Sequence, residues 1–199
     1  MKFPGTIAAA AAFALISMTA QAQEGLDLLT EPMELQIGHD HTQIMLVWDH
    51  VGVTDTLAVI RSFEGKVHLD PQSPENSTVS ITMDMNSIDS FFEPRDKVLK
   101  SERFLNVAAY PEASFESTSV TPTGAITADI AGDFTFMGQT HPITLAAEFN
   151  KAATNMGETV VGFTARTELD RGDMGVTDIY PRVAPKIAVQ VEAELAPAE

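Results

Sequence analysis

Apolar residues return at every second position in run after run of this chain, and that alternation restricts it to half-buried sheet. Ile44, Leu46 and Trp48 share one face, which His50 continues, with the polar Gln43 and Asp49 on the other. Val79, Ile81, Met83 and Met85 repeat the pattern against Ser80, Thr82 and Asp84. Further runs are Ile143, Leu145, Ala147, Phe149; Phe163, Ala165, Thr167, Leu169; and Ile187, Val189, Val191, Ala193, Leu195. Successive side chains of a strand point to opposite faces, so each run lays one apolar row against a core. Asp70-Pro71, Pro74-Glu75-Asn76, Pro122-Thr123-Gly124 and Asn155-Met156-Gly157 are turn signals between the runs. A chain of many antiparallel strands must hide its edges, and a sandwich or a closed barrel does so equally well. Periodicity leaves both open.

One compact insert breaks the strand pattern. Pro94 suits the first position of a helix, where its missing N–H is no loss, and Glu93 favours the positive end of the helix dipole. Phe91, Phe92, Val98, Leu99 and Phe104 then follow at mixed helical spacing, which predicts a short helical lid over about 91–106, laid against one end of the sheet. Tyr110-Pro111 ends it, because the residue before a proline is pushed toward extended geometry. A strand carrying Ala113, Phe115 and Ser117 on one face is expected next.

Three stretches carry a family resemblance. R-D-K-V-L-K-S-E-R-F-L-N-V-A-A-Y-P-E-A-S-F-E-S-T (Arg95–Thr118), S-I-D-S (Ser87–Ser90) and G-D-F-T-F-M-G-Q-T-H-P-I-T-L (Gly132–Leu145) resemble the YceI-like family of secreted, lipocalin-like proteins that bind polyisoprenoids and related amphiphiles. The similarity runs over most of residues 33–195. It implies an all-β fold with one short helical insert, an antiparallel lipocalin-like β-barrel of about eight strands, a size whose interior is either filled by side chains or holds a ligand. The inward set would comprise Leu46, Trp48, Phe63, Met83, Met85, Phe115, Phe134, Phe136, Leu145, Phe149 and Phe163, with methionines able to follow an irregular hydrocarbon. Composition alone fits a packed core as well as a lipid cavity; the resemblance favours the cavity.

The first residues read as a secretory signal peptide, residues 1–22: Lys2, an apolar run from Ile7 to Met18, and Ala20-Gln21-Ala22 as the cleavage signal, with cleavage after Ala22. The remainder, 23–199, has the length of a single domain. That run is too short for a comfortable membrane span, and nothing later approaches the ~20 apolar residues a transmembrane segment needs. The chain has no cysteine, hence no disulfide and no lipid-bearing cysteine, and the leader points to the periplasm. Twelve cationic side chains stand against 28 carboxylates, a formal net charge of −16, which disfavours nucleic acid and adhesion to anionic membrane.

Among polar residues, Arg95 and Asp96 match the R-D pair that the family carries at its lid, and Arg171 with Asp173 resembles a second arginine-bearing turn. Two roles stay open for Arg95: receiving a phosphate or carboxylate head through its fork of donors, or pairing with a strand carboxylate where the helix starts. Val98 departs from the histidine common in the family at that place. Arg171 continues the phase of Phe163 to Leu169, so it is expected to point inward at the barrel mouth, where a buried arginine needs a partner. His41 and His50 look like the family's paired N-terminal histidines; His39 and His41, two apart, project together but lack a third ligand, so no metal site is expected. No G-x-S-x-G elbow, cysteine nucleophile or glycine-rich phosphate loop occurs, and no catalytic residue is assigned.

The sequence therefore supports a periplasmic barrel that sequesters or transports a long-chain isoprenoid or acyl lipid without a cofactor, as monomer or homodimer. The ligand-contacting residues expected are Leu46, Trp48, His50, Phe63, Met83, Met85, Phe91, Phe92, Arg95, Asp96, Leu99, Phe104, Phe115, Phe134, Phe136, Leu145, Phe163 and Arg171. A structural or stress-related interaction module with a filled barrel is the alternative. A lipid-modifying enzyme is the third reading.

Overall fold

The computed structural model describes residues 25, 28–38, 40–176 and 183–197. The expected leader at 1–22 and its cleavage point, His39, and the last two residues lie outside the described residues. Eleven strands form one sheet: β1 (Met33–Ile37), β2 (Gln43–His50), β3 (Thr54–Ile60), β4 (Phe63–Leu69), β5 (Thr78–Asp84), β6 (Ile88–Asp89), β7 (Glu112–Pro122), β8 (Thr127–Phe136), β9 (Gln139–Asn155), β10 (Glu158–Asp170) and β11 (Lys186–Pro197). A helix, α1 (Glu93–Lys100), precedes β7, with Pro94 in its first turn as the sequence predicts.

Eight of the strands close into an antiparallel barrel, in the order β1-β4-β5-β7-β8-β9-β10-β11, with β1 pairing back onto β11. Closure uses the whole length of β11. Its last residues, Leu195–Pro197, pair with β1, while Ala188–Glu192 on the same edge pair with β2. Strands β2, β3 and β6 thus extend the wall beside β11 where β1 does not reach. The alternation seen in the sequence survives in register: Ala165 lies opposite Ala147 and Val191, and Ile130 opposite Leu145.

Two irregularities shape the wall. In β9 an extra residue, Asn150, bulges between the pairs Phe149↔Phe163 and Lys151↔Gly162. The phase of β9 therefore flips, and both Phe149 and Ala152 are buried. Asn150 Nδ2 donates to Thr164 Oγ1 at 3.0 Å, and Thr164 passes its proton to Glu192 Oε2 at 2.7 Å, so the bulge is tied to two neighbouring strands. The hairpin at Met156-Gly157 has φ 52° and 95°, the left-handed pair that matches the twist of a two-residue loop.

Side chains near β1 pack solid. Leu35, Ala152, Val161 and Leu195 are essentially inaccessible, and Leu29 from the preceding segment joins them at 1% exposure. Gly132 on β8 is covered from the neighbouring strand: a Cβ there would lie 2.4 Å from Phe115 Cζ and 2.5 Å from the Glu116 carbonyl oxygen. Since one obstacle is backbone, the strand itself must shift. Gly132→Ala should destabilise the barrel by about 1–3 kcal/mol, as overpacking does. Urea denaturation followed by circular dichroism measures it, and an unchanged midpoint would show that β7 and β8 separate more easily than this contact implies.

Candidate ligand-binding cavity

The inward rows of β8 to β11 are not pressed together. Leu145, Ala147, Phe163, Ala165, Leu169, Val189 and Val191 keep partial exposure although they point into the barrel, because they face a cavity of about 670 Å3. Its wall is almost wholly apolar, and it runs from α1 at one rim to the β4–β5 and β7–β8 connections at the other, where Asp70, Pro71, Pro74 and Ala125 line it. The rings of Phe134 and Phe136 stack at 5.9 Å, and those of Phe149 and Phe163 meet edge to face at 5.6 Å. Dispersion and burial are what such a wall offers a hydrocarbon.

Fourteen of the residues expected from the sequence line this space: Leu46, Trp48, His50, Met83, Met85, Arg95, Leu99, Phe104, Phe115, Phe134, Phe136, Leu145, Phe163 and Arg171. Four do not. Phe63 is buried opposite Met83 but does not reach the cavity. Asp96 is turned back onto Ser90. Phe91 and Phe92, expected against the sheet, point outward at 62% and 57% exposure, because α1 presents Arg95, Val98 and Leu99 to the cavity instead.

The cause of that outward turn is Ser90, a residue given no role on sequence grounds. Ser90 is 1% exposed. Its N–H donates to Asp96 Oδ1 at 2.8 Å, and its hydroxyl donates to the same oxygen. Arg95 Nε donates to Ser90 Oγ at 2.9 Å and Arg95 Nη2 to the Ser90 carbonyl at 2.6 Å. The first turn of α1 thereby folds back on the residue three before its start. Phe91 is forced to φ 61°, a strained value for a bulky side chain, and its ring leaves the barrel. Of the two roles foreseen for Arg95, pairing with a strand carboxylate is not what the structure has: it clasps Ser90, while its Nη1 has no acceptor among the described residues and the side chain lines the cavity.

Asp89 and Ser87, in the same S-I-D-S stretch, hold the corner behind the clasp. Asp89 accepts from the Phe91 N–H at 2.7 Å and pairs with Arg61 at 2.6 Å, and these bonds hold its carboxyl below the usual carboxylate range. Ser87 Oγ accepts from the N–H groups of Arg61 and Ser62. At the opposite rim Asp70 is likewise held low, first by the Ser73 N–H and then by the Asn76 amide.

Arg171 does point inward and is buried, as its phase predicts. Its guanidinium donates to three carbonyls, those of Val176 at 2.9 Å, Val183 at 3.1 Å and Ala184 at 3.2 Å. The partner it needed is thus backbone carbonyl oxygen at residues 176, 183 and 184. His50 ends β2 beside Val183 and faces the cavity, whereas His41 sits exposed in the turn before β2. No cluster of three His, Cys, Asp or Glu side chains that could hold a metal ion occurs among the described residues.

An antiparallel eight-stranded barrel around an apolar cavity, with a helix at one rim, is a lipocalin-like barrel by its architecture. The YceI-like domain family matches residues 35–195, and the chain belongs to that family. A UPF0312 protein of Ectopseudomonas mendocina is 38% identical over 143 residues, 71% of this chain and 75% of that protein. One from Azotobacter vinelandii is 36% identical over 137 residues, 68% and 71% of the two chains. Among solved structures, Burkholderia cenocepacia BcnA has a TM-score of 0.71 at 17% identity, over 81% of this chain and 99% of its own. The Campylobacter jejuni YCEI protein gives 0.70 at 20%, over 76% and 90%. A polyisoprenoid binding domain from Saccharophagus degradans gives 0.59 at 9%, over 82% and 98%. These likenesses show that the barrel is a shared fold.

Arg171→Met removes these charge-assisted bonds and leaves carbonyls behind. It should cost about 1–3 kcal/mol for each that remains buried and unpaired. Arg171→Lys should recover only part, since an ammonium cannot span all three. Equal urea midpoints for the wild type and Arg171→Met would remove the arginine from any structural role.

Proposed function

We propose that the protein sequesters or carries one long-chain apolar amphiphile in the barrel, a polyisoprenoid first of all, in the periplasm after loss of a leader at 1–22. The observation that carries the reading is the half-exposed apolar wall around about 670 Å3. Small-molecule pockets span roughly 300–1,000 Å3, so the space has the size of a ligand site and not of a packing defect. A filled barrel would bury those rows completely. Membership in the YceI-like family, and the likeness to the polyisoprenoid binding domain of Saccharophagus degradans, support an isoprenoid over an acyl chain. The relatives named above bear no enzyme's name, and the proposal is a binding protein without a cofactor.

Charge at the two rims orients the guest. Asp70 is held ionised at one rim, and Arg95 offers an unspent Nη1 at the other. An anionic head is repelled from the first and drawn to the second, so the hydrocarbon lies between with its phosphate or carboxylate under α1.

Trp48 reports on occupancy, being the chain's only tryptophan, 9% exposed and part of the cavity wall. Titrating delipidated protein with a prenyl alcohol should shift its emission to shorter wavelength and saturate. Organic extracts of protein purified without detergent should contain a long-chain lipid near one per chain. Absence of both the lipid and any saturable uptake across prenyl and acyl series sinks the carrier reading.

Arg95→Met separates head from tail. Binding of a prenyl phosphate should weaken by about tenfold, the loss of one charge-assisted hydrogen bond worth roughly 1.5 kcal/mol, while the matching alcohol is little affected. Equal losses for both would assign Arg95 to the Ser90 clasp alone.

A further inference from the structure

We infer that Leu29, carried by the segment before β1, is the floor of the cavity and sets the longest hydrocarbon chain that the barrel holds. Its consequence for ligands rests on the carrier reading; the packing that makes it a floor does not.

The rim opposite α1 is unevenly closed. Where β4, β5, β7 and β8 meet it, the cavity reaches their connections, and Asp70, Pro71, Pro74 and Ala125 line it. Where β9, β10, β11 and β1 meet it, the Met156-Gly157 turn does not border the cavity at all. The segment before β1 takes up that side. Gly25 is buried against β9, so that a Cβ there would lie 2.9 Å from the Ala152 backbone nitrogen and 3.3 Å from the Phe149 ring, which lines the cavity. At the other end of the segment, Met33 pairs with Leu69 of β4. Strands β9 and β4 stand four places apart in the ring of eight, on opposite walls. A chain held at both must cross the mouth.

Leu29 lies midway between those two anchors. Its neighbours Leu28 and Thr30 are exposed, whereas Leu29 is 1% exposed and borders the cavity, so its side chain points inward from the crossing segment. Leu35, Ala152 and Val161 are as inaccessible and do not border the cavity. Open space therefore ends at Leu29 and close packing begins behind it.

A guest with its head under α1 sends its tail toward this floor. Each methylene that gains apolar burial is worth about fourfold in affinity. The first that meets Leu29 must displace a close-packed side chain or turn out between the β4–β5 and β7–β8 connections into water, and either cancels the gain. Affinity should rise with chain length and then break off.

Prenyl alcohols of increasing isoprene number, titrated against delipidated protein by Trp48 emission, locate that break. Leu29→Ala should move it to a longer alcohol, raising the affinity ratio of the first alcohol beyond the wild-type break to the last one before it by about tenfold or more. Leu29→Phe should move it to a shorter one. Leu29→Val, one methylene smaller, should act as Leu29→Ala does but less, and it decides where circular dichroism shows that a larger change has unfolded the protein. Val161→Ala loosens the same packing without touching the cavity wall and should keep the wild-type break. A break that stays fixed in the Leu29 variants, or one that Val161→Ala moves as far as Leu29→Ala, overturns the floor alone. No uptake of any alcohol by the wild type overturns the carrier reading and the floor with it.

Discussion

The hydrogen-bond ladder between β1 and the end of β11 is the constraint on which the rest depends. A sheet of this length leaves two rows of unpaired N–H and C=O groups unless its edges meet. Here the five residues of β1 bridge β4 and β11, and they do so only because β11 outruns β2 and frees the pairs Leu35↔Pro197 and Ile37↔Leu195. Once closed, the barrel fixes which face of each strand is inside. Packing then becomes uneven along the axis: Leu29, Leu35, Val161 and Leu195 fill the space near β1, and the rows beyond them stand apart.

That unevenness is what leaves room for a guest. Opposed rows of Ala147, Ala165 and Ala193 with Val189 and Val191 are small for an eight-stranded interior, whose diameter is set by strand number and tilt and not by side-chain volume. Four of the larger rings cluster in two pairs, Phe134 with Phe136 and Phe149 with Phe163. A wall of this composition gains dispersion and sheds exposed apolar surface when a chain lies against it.

The sequence was most legible where strands are long and regular. The rows from Ile44, Val79, Ile143, Phe163 and Ile187 were readable because a two-residue period survives burial on one face, and each row lines the cavity. The proline-started helix was readable for a similarly local reason. What stayed hidden depends on partners distant in the chain or on turns without periodicity. Nothing about Ser90 as a letter shows that Arg95 and Asp96 will both close on it, and the direction of Phe91 and Phe92 follows from that closure. The bulge at Asn150 breaks the period in the middle of β9, so Ala152 could not be placed from Phe149 by counting twos. The strand β1, which closes the ring, went unread, because its five residues are too few to show a period.

The two arginines at the α1 rim show how far residue type falls short of role. Each is partly or wholly buried, each faces the cavity, and each is bonded to backbone carbonyl oxygen. Their difference is one of supply. Arg171 follows the last residue of β10, and the carbonyls of Val176, Val183 and Ala184 converge on its guanidinium from both sides. Arg95 sits at the start of a helix, where the neighbouring backbone offers N–H groups more than carbonyls. It reaches back to the single carbonyl of Ser90, spends Nε on the serine hydroxyl, and keeps Nη1 for what enters the barrel or lies beyond it. The first turn of α1 carries Glu93 and Asp96 and its last turn Lys97 and Lys100, the arrangement that suits the helix dipole, and both acids have partners, Glu93 in Lys97 at 2.7 Å and Asp96 in Ser90. The acids of α1 are therefore engaged within the lid, and Arg95 is left as a cation poised between the apolar interior and the exposed phenylalanines.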